Sequence, residues 1–413
     1  MLSRNMVGLL GTVALGMLAA CGEPAQRPAP APSQESEPMT EATQPPRAVA
    51  GSTAEAVNLF GVDLLRELGT DGENVVISPL SVAIALSMLS NGADGEGRAQ
   101  LERALYVNGS EEERNAELAA LLGDVAAGED VDVRVAQSMW AQQGFPFRPE
   151  YIKRVGETFQ ATLEEVDLGS QEAAGQIDAW VSENTEGLID EIAGDLGLPD
   201  AAAVLVLLNA TYFHGTWELP FDPEDTKPRE FATAGGPVRT PFLTHHDEHF
   251  GYSEDPRRQL LRLPYGTKGR FVMDLYLPKS GVSMDQVIAE IPDDSAPPTP
   301  KLEVVAIPKL KLEWKRELTP ALGALGVRQV WMPGSLRRMS PSDATALSTV
   351  VHKTYIEVDE KGTKAAAVTG GLVMTSKTFG APSFIADRPY AFAIRDTRTG
   401  VVMFSGVVND PTG

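Results

Sequence analysis

Cysteine is almost absent from this 413-residue chain: Cys21 is the only one, so no disulfide can close within it. Histidine is scarce too, limited to His214, His245, His246, His249 and His352. None falls in a Gly-x-Ser-x-Gly elbow or a His-Glu-x-x-His helix, and no Gly-rich phosphate loop is present, so the common hydrolase and nucleotide-binding classes have no footing. Basic residues number 35 against 57 acidic, and a net charge of -22 repels a nucleic-acid backbone, so no nucleic-acid partner is expected. Proline, with 30 residues in all, is missing from Gly362 to Gly380, and the first after Gly362 is Pro382. Such a stretch keeps an N–H at every position, which a strand entering a ladder needs. What remains is ordinary globular material, 43% hydrophobic and 22% charged.

The N-terminus supplies the place for the one cysteine. Arg4 precedes an apolar run over residues 6–18, and Leu18-Ala19-Ala20-Cys21 follows. The run is short for a membrane span and reads as a cleaved signal peptide, residues 1–20. The last four residues resemble the lipobox of bacterial lipoproteins. That resemblance implies a lipid on Cys21 as the mature N-terminus, anchoring the protein to a bilayer of the bacterial cell envelope. Gly22, rather than Asp, carries no inner-membrane retention cue. Residues 22–50 are rich in Pro, Ala, Ser, Glu and Gln and cannot bury a core, so residues 21–51 are expected to form a semi-extended tether.

A folded domain is expected over residues 52–413. Ser52 and Glu55 form a capping-box pattern ahead of Val57, Phe60, Leu64 and Leu68 at helical spacing. Ser78-Pro79 opens a second helix, running to Gly92, that is apolar on most sides. Residues 201–208 form a continuous apolar run, expected as a buried strand ending at Asn209. Shorter apolar pieces at 302–307, 355–358, 390–394 and 401–408 make the C-terminal third rich in strands, and the class is α+β. The cluster Thr244-His245-His246-Asp247-Glu248-His249 has histidines at a spacing that suits metal ligation on a helix. Phe242, Leu243, Phe250 and Tyr252 around it point instead to strand and turn, so no metal and no other cofactor is expected. A metal-dependent surface enzyme built on these histidines stands as a minor alternative.

Several segments in order resemble the serpin family. They are Asn74-Val75-Val76-Ile77-Ser78-Pro79-Leu80-Ser81, then Trp180-Val181 with Thr185 and Gly187, then Leu208-Asn209-Ala210-Thr211-Tyr212-Phe213-His214-Gly215-Thr216-Trp217. Ile307-Pro308-Lys309-Leu310, Phe384-Ile385-Ala386-Asp387-Arg388-Pro389-Tyr390 and Gly406-Val407-Val408-Asn409-Asp410-Pro411 complete the series. The resemblance implies a serpin fold of three β-sheets with eight or nine helices and an exposed reactive-centre loop. It also implies a monomeric suicide inhibitor, not an enzyme, that traps a serine or cysteine protease covalently. A noninhibitory binding protein on the same fold is the alternative. Glu96, Glu102, Glu111, Glu112 and Glu113 lie where a basic cofactor helix would be, so no heparin-type cofactor is expected. Leu336-Arg337-Arg338-Met339-Ser340 departs from the family pattern.

Glu360-Lys361-Gly362-Thr363-Lys364-Ala365-Ala366-Ala367 matches the loop hinge of inhibitory members. Strand periodicity puts Thr363, Ala365, Ala367, Thr369 and Gly371 on one face, all small and uncharged, with Lys364 opposite. By resemblance, Ser78, Ser81, Asn209 and His352 form the polar cluster where the large sheet parts, and Lys309 pairs with Glu360 at its top. Counting forward from the hinge reaches Ser376 as the residue before the scissile bond, and counting back from Pro389 reaches Thr378. Lys377 between them would suit a trypsin-like enzyme, while Met374 or Ser376 would suit elastase- or subtilisin-like ones. Ser376 and Lys377 are the favoured sites within 374–378.

Overall fold

The computed structural model describes residues 50–363 and 380–413, except 108, 129–130, 294, 344 and 348–349. Cys21, the hinge alanines Ala365, Ala366 and Ala367, and the cleavage candidates Ser376 and Lys377 lie outside the described residues.

Helix α1 spans Thr53–Leu68, and the Ser52 side chain accepts from Glu55 N at 3.1 Å, satisfying one of the open N–H groups of the first turn. Glu55 does not return the bond to Ser52 as a full capping box would; it accepts from Gly51 N at 2.6 Å. Ser78 caps α2, Pro79–Gly92, with Pro79 in the first turn, and nearly every residue of this helix is buried. It forms the central rod. Helices α3 (Gly95–Ala104), α4 (Glu111–Ala126), α5 (Pro149–Phe159) and α6 (Gln171–Asn184) follow, with the short α7 (Met284–Ile288) and α8 (Thr319–Ala324) later in the chain.

The strands are β1 (Val75–Ile77), β2 (Val131–Gln142), β3 (Thr162–Val166), β4 (Leu205–Thr216), β5 (Lys227–Thr233), β6 (Gly236–His249), β7 (Gly251–Glu254) and β8 (Arg258–Tyr265). After them come β9 (Phe271–Pro278), β10 (Lys301–Pro308), β11 (Leu310–Glu317), β12 (Val351–Val358), β13 (Gly362–Thr363), β14 (Ser383–Ile385), β15 (Tyr390–Asp396) and β16 (Val402–Val408). Helices dominate the first half and strands the second, which is the α+β class read from the sequence.

Two of the ladders are self-contained, a six-stranded one ordered β1-β16-β15-β9-β8-β7 and a four-stranded one ordered β14-β10-β6-β5. The remaining strands form a four-stranded piece, β13-β4-β2-β3, and a two-stranded piece, β11-β12. Where the sequence suggested three sheets, the third is thus divided. Strands β4 and β12 are neighbours, yet no ladder joins them among the described residues.

The apolar run 201–208 is corrected by the structure: β4 begins at Leu205 and continues through Asn209 to Thr216. The sheet explains why the run is apolar. Leu205 faces the main core beneath, whereas Val206 and Leu208 join Trp140, Ile177 and Val181 in a second cluster under α6, so β4 is covered on both faces. Beyond Asn209 the pairing of β4 with β2 runs on to Gly215, which carries the strand through its polar residues.

Candidate functional site

The seam between β4 and β12 is organised at both ends by residues the sequence singled out. At the upper end, β12 stops at Val358 and the chain reverses in a tight turn. Asp359 Oδ1 accepts from Lys361 N at 2.8 Å and from Gly362 N at 3.1 Å, while Asp359 N donates to Gly362 O at 2.9 Å. The chain then lies antiparallel against β4 as β13, Gly362 opposite Thr216 and Thr363 opposite Gly215. Gly362 and Thr363 of the hinge therefore already occupy a strand position at the mouth of the seam.

Gly362 is required there. A Cβ on it would fall 2.1 Å from Gly215 O and 2.6 Å from Thr216 Cα, and its φ of 154° is one that side-chain-bearing residues avoid. Thr363 points inward, 4% exposed, with its hydroxyl 2.8 Å from the Tyr265 hydroxyl. Tyr265 in turn stacks on Trp217, ring centroids 4.4 Å apart. Trp217 fixes the turn from the other side: its indole N–H donates to Asp359 O at 2.9 Å and its backbone N–H to Lys361 O at 2.8 Å.

Lys309 and Glu360 meet as the resemblance implied, Nζ to carboxylate 2.8 Å. Burial, the largest single influence, pushes the Glu360 carboxyl up, but the hydrogen bond and charge of Lys309 together with hydrogen bonds from its own backbone and Thr226 outweigh it, and the group sits below its ordinary value. Phe221 N donates to the Glu360 carbonyl at 2.7 Å. The base of the hinge is thus anchored at four places before any loop moves.

At the lower end, His352 Nε2 accepts a hydrogen bond from Ser78 N at 3.0 Å. The ring must be neutral to accept, and burial alone, at 5% exposure, pushes its pKa down to about 4. Ser78 Oγ also accepts from Ser81 N, and Thr354 on β12 donates to Val76 O at 2.7 Å. The structure brings Ser78, Ser81 and His352 together. Asn209 sits mid-strand in β4, paired in the ladder with Gln137 of β2. A cavity of about 20 Å³, room for about one water, lies beside His352 between α2 and the start of β12, with Leu207 of β4 on its wall.

Two residues here escaped the sequence reading. Tyr265 lies 98 positions before Thr363, on a strand of the six-stranded ladder, and no local pattern links them. Gln137 is buried at 2% exposure, and neither end of its amide finds a hydrogen-bond partner among the described residues. An orphaned amide of this kind costs about 1–3 kcal/mol. Its signal was present as a lone polar residue on the face of β2 that Met139 and Ala141 share, both in the core.

The histidine cluster disperses. His245, His246 and His249 lie on β6, not on a helix; His245 Nε2 is 3.2 Å from Leu219 O and His249 Nδ1 is 3.3 Å from Thr299 O. Among the described residues no three His, Cys, Asp or Glu side chains gather as a metal-holding group.

The comparisons with known proteins agree with this geometry. A family model described as Serpin (serine protease inhibitor) matches residues 55–411. The leukocyte elastase inhibitor of Sus scrofa is 31% identical over 371 residues, covering 85% of this chain and 97% of its own. A serpin-like protein of Thermococcus kodakarensis is 31% identical over 378 residues, covering 86% and 85%. The crystal structure of Serpin48, a highly specific serpin of the insect Tenebrio molitor, superposes with a TM-score of 0.77 at 27% identity, covering 87% of this chain and 98% of that one. With a divided large sheet, a hinge strand at its seam and these matches over nearly the whole described domain, the chain belongs to the serpin family.

Proposed function

We propose that this serpin inhibits serine proteases by presenting the segment after Thr363 as bait and, once cut, inserting it between β4 and β12 with the acylated enzyme attached. The observation that carries the reading is β13: its two residues are already in antiparallel register with β4, beside an edge of β12 that carries no ladder among the described residues. Strand addition continues from that start one N–H at a time, and the absence of proline up to Gly380 leaves no missing donor. The inward positions after Thr363 are Ala365, Ala367, Thr369 and Gly371, none of which brings a charge into the sheet.

Incubation with a panel of serine proteases should give a complex that survives boiling in detergent, and mass spectrometry of the released C-terminal peptide should place the cut within residues 374–378, with Ser376 and Lys377 favoured. Free cleaved product alone from every protease, or a cut outside this window, would sink the assignment.

We also propose that the mature protein is held to a bilayer by lipid on Cys21, with residues 22–50 as the spacer. Composition supports it: the spacer has almost no large apolar side chain to fold around. Cys21→Ser should move the protein from the membrane fraction to the soluble one or leave it unprocessed. An unmodified thiol on a soluble, mature wild-type protein refutes the anchor.

A further inference from the structure

A cavity of about 750 Å³ lies away from the seam, between α1, α2 and α4. Its floor is polar and self-satisfied, because the Asn91 and Asn115 amides exchange hydrogen bonds of 2.9 and 3.1 Å. Its walls are apolar, with Val57, Leu105, Leu118 and Leu121 buried around it. Three carboxylates of α4 line it, and two have partners: Glu113 closes the capping box with Ser110, and Asp124 meets Arg398 at 2.6 Å. Glu117 receives only the Thr53 hydroxyl, at 2.5 Å, and meets no cation among the described residues.

Ala50, Gly51, Ser52 and Thr53 themselves form part of the lining, so the described chain starts inside the cavity's wall. The residues before it are Pro46-Arg47-Ala48-Val49. Arg47 is the only base between Arg27 and Arg66, and it stands six positions before Thr53, within roughly 20 Å of extended chain. A short apolar pair next to one cation matches an apolar cavity with one unmatched carboxylate. We propose that residues 46–49 dock in this cavity, Val49 against Val57, Leu118 and Leu121 and Arg47 against Glu117. The contact would add apolar burial and one solvent-exposed ion pair to a helix that packs on β2. It does not depend on whether the protein inhibits proteases.

Amide hydrogen exchange on the full mature chain tests it. Amides 47–50 should exchange at least tenfold more slowly than in Arg47→Glu/Val49→Asp, and Arg47→Glu alone should lose part of that protection. The charge swap Arg47→Glu/Glu117→Arg should restore protection to within about twofold of wild type. Exchange of these amides at the unstructured rate in wild type overturns the proposal. So does a swap that restores nothing, or a small molecule found by native mass spectrometry to occupy the cavity in their place.

Discussion

Thr363→Arg is expected to turn this serpin from an inhibitor into a substrate. Thr363 is 4% exposed and its hydroxyl lies 2.8 Å from that of Tyr265, so the position is inward and occupied before any cleavage. Tyr265 offers an arginine at this position a hydroxyl and Trp217 an aromatic face, while Glu357, which lines the same small pocket, already accepts from the Tyr355 hydroxyl at 2.6 Å. The side chain must either bury an unpaired charge, at a cost of several kcal/mol, or pull β13 out of its seat against β4. Insertion then starts from a state with no strand in register. A barrier raised by about 3 kcal/mol slows insertion more than 100-fold, and deacylation, which the substitution does not touch, wins the competition. The expected result is rapid cleavage with little covalent complex, from a variant whose circular dichroism is that of wild type. Lys364→Arg, which keeps charge and lies on the opposite parity of the strand, should inhibit like wild type. Equal inhibition rates and stoichiometry for Thr363→Arg and wild type would rule out insertion through this seat.

The second large effect is a loss of stability in acid that originates at His352. The neutral ring accepts from Ser78 N, and protonation destroys that bond while charging a buried site. Its folded value is lowered from 6.5 to about 4, so between those limits the unfolded chain binds the extra proton. Stability from this group is therefore complete above pH 6.5 and is lost as pH falls toward 4, about 3 kcal/mol in all at ~1.4 kcal/mol per unit. The weakening falls between β12 and α2, at the lower end of the seam. Urea midpoints measured from pH 7.5 to 4.5 should fall more steeply for wild type than for His352→Gln. His245, also lowered to about 4 by burial, adds a slope of the same sign in both proteins and drops out of the difference. Parallel pH profiles for wild type and His352→Gln would show that the histidine does not control the seam.

Local chemistry made much of this legible in the sequence. Ser78-Pro79 announces a capped helix, and the same serine turns out to hold His352, because a helix N-terminus has N–H groups to offer. The stretch from Gly362 to Gly380 reads as a candidate hinge because a strand that must enter a sheet needs small inward residues and no proline, both of which are composition. The ends of β4 were not. Alanines 201–203 look like the start of a buried strand but belong to the preceding loop, and Asn209 looks like a stop although the ladder with β2 carries the strand past it. Pairing set those limits, and pairing is not visible in one strand. Tyr265 and Gln137 were hidden for the same reason: what makes each one matter is a neighbour, or the lack of one, brought by another part of the chain. The division of the large sheet is likewise a relation between β4 and β12 that neither segment declares alone.

Insertion of the cut loop between β4 and β12 can be tested most directly by melting the protein before and after a single nick within residues 374–378, made by a protease that is not trapped. If the cut segment enters the seam, it pairs with β4 and β12 and closes the sheet, and the nicked protein should melt far above the intact one with slowed exchange at the amides of β4 and β12. An unchanged or lower melting temperature, with exchange in both strands as before, would mean that the loop stays outside and that β13 is only a turn resting against β4.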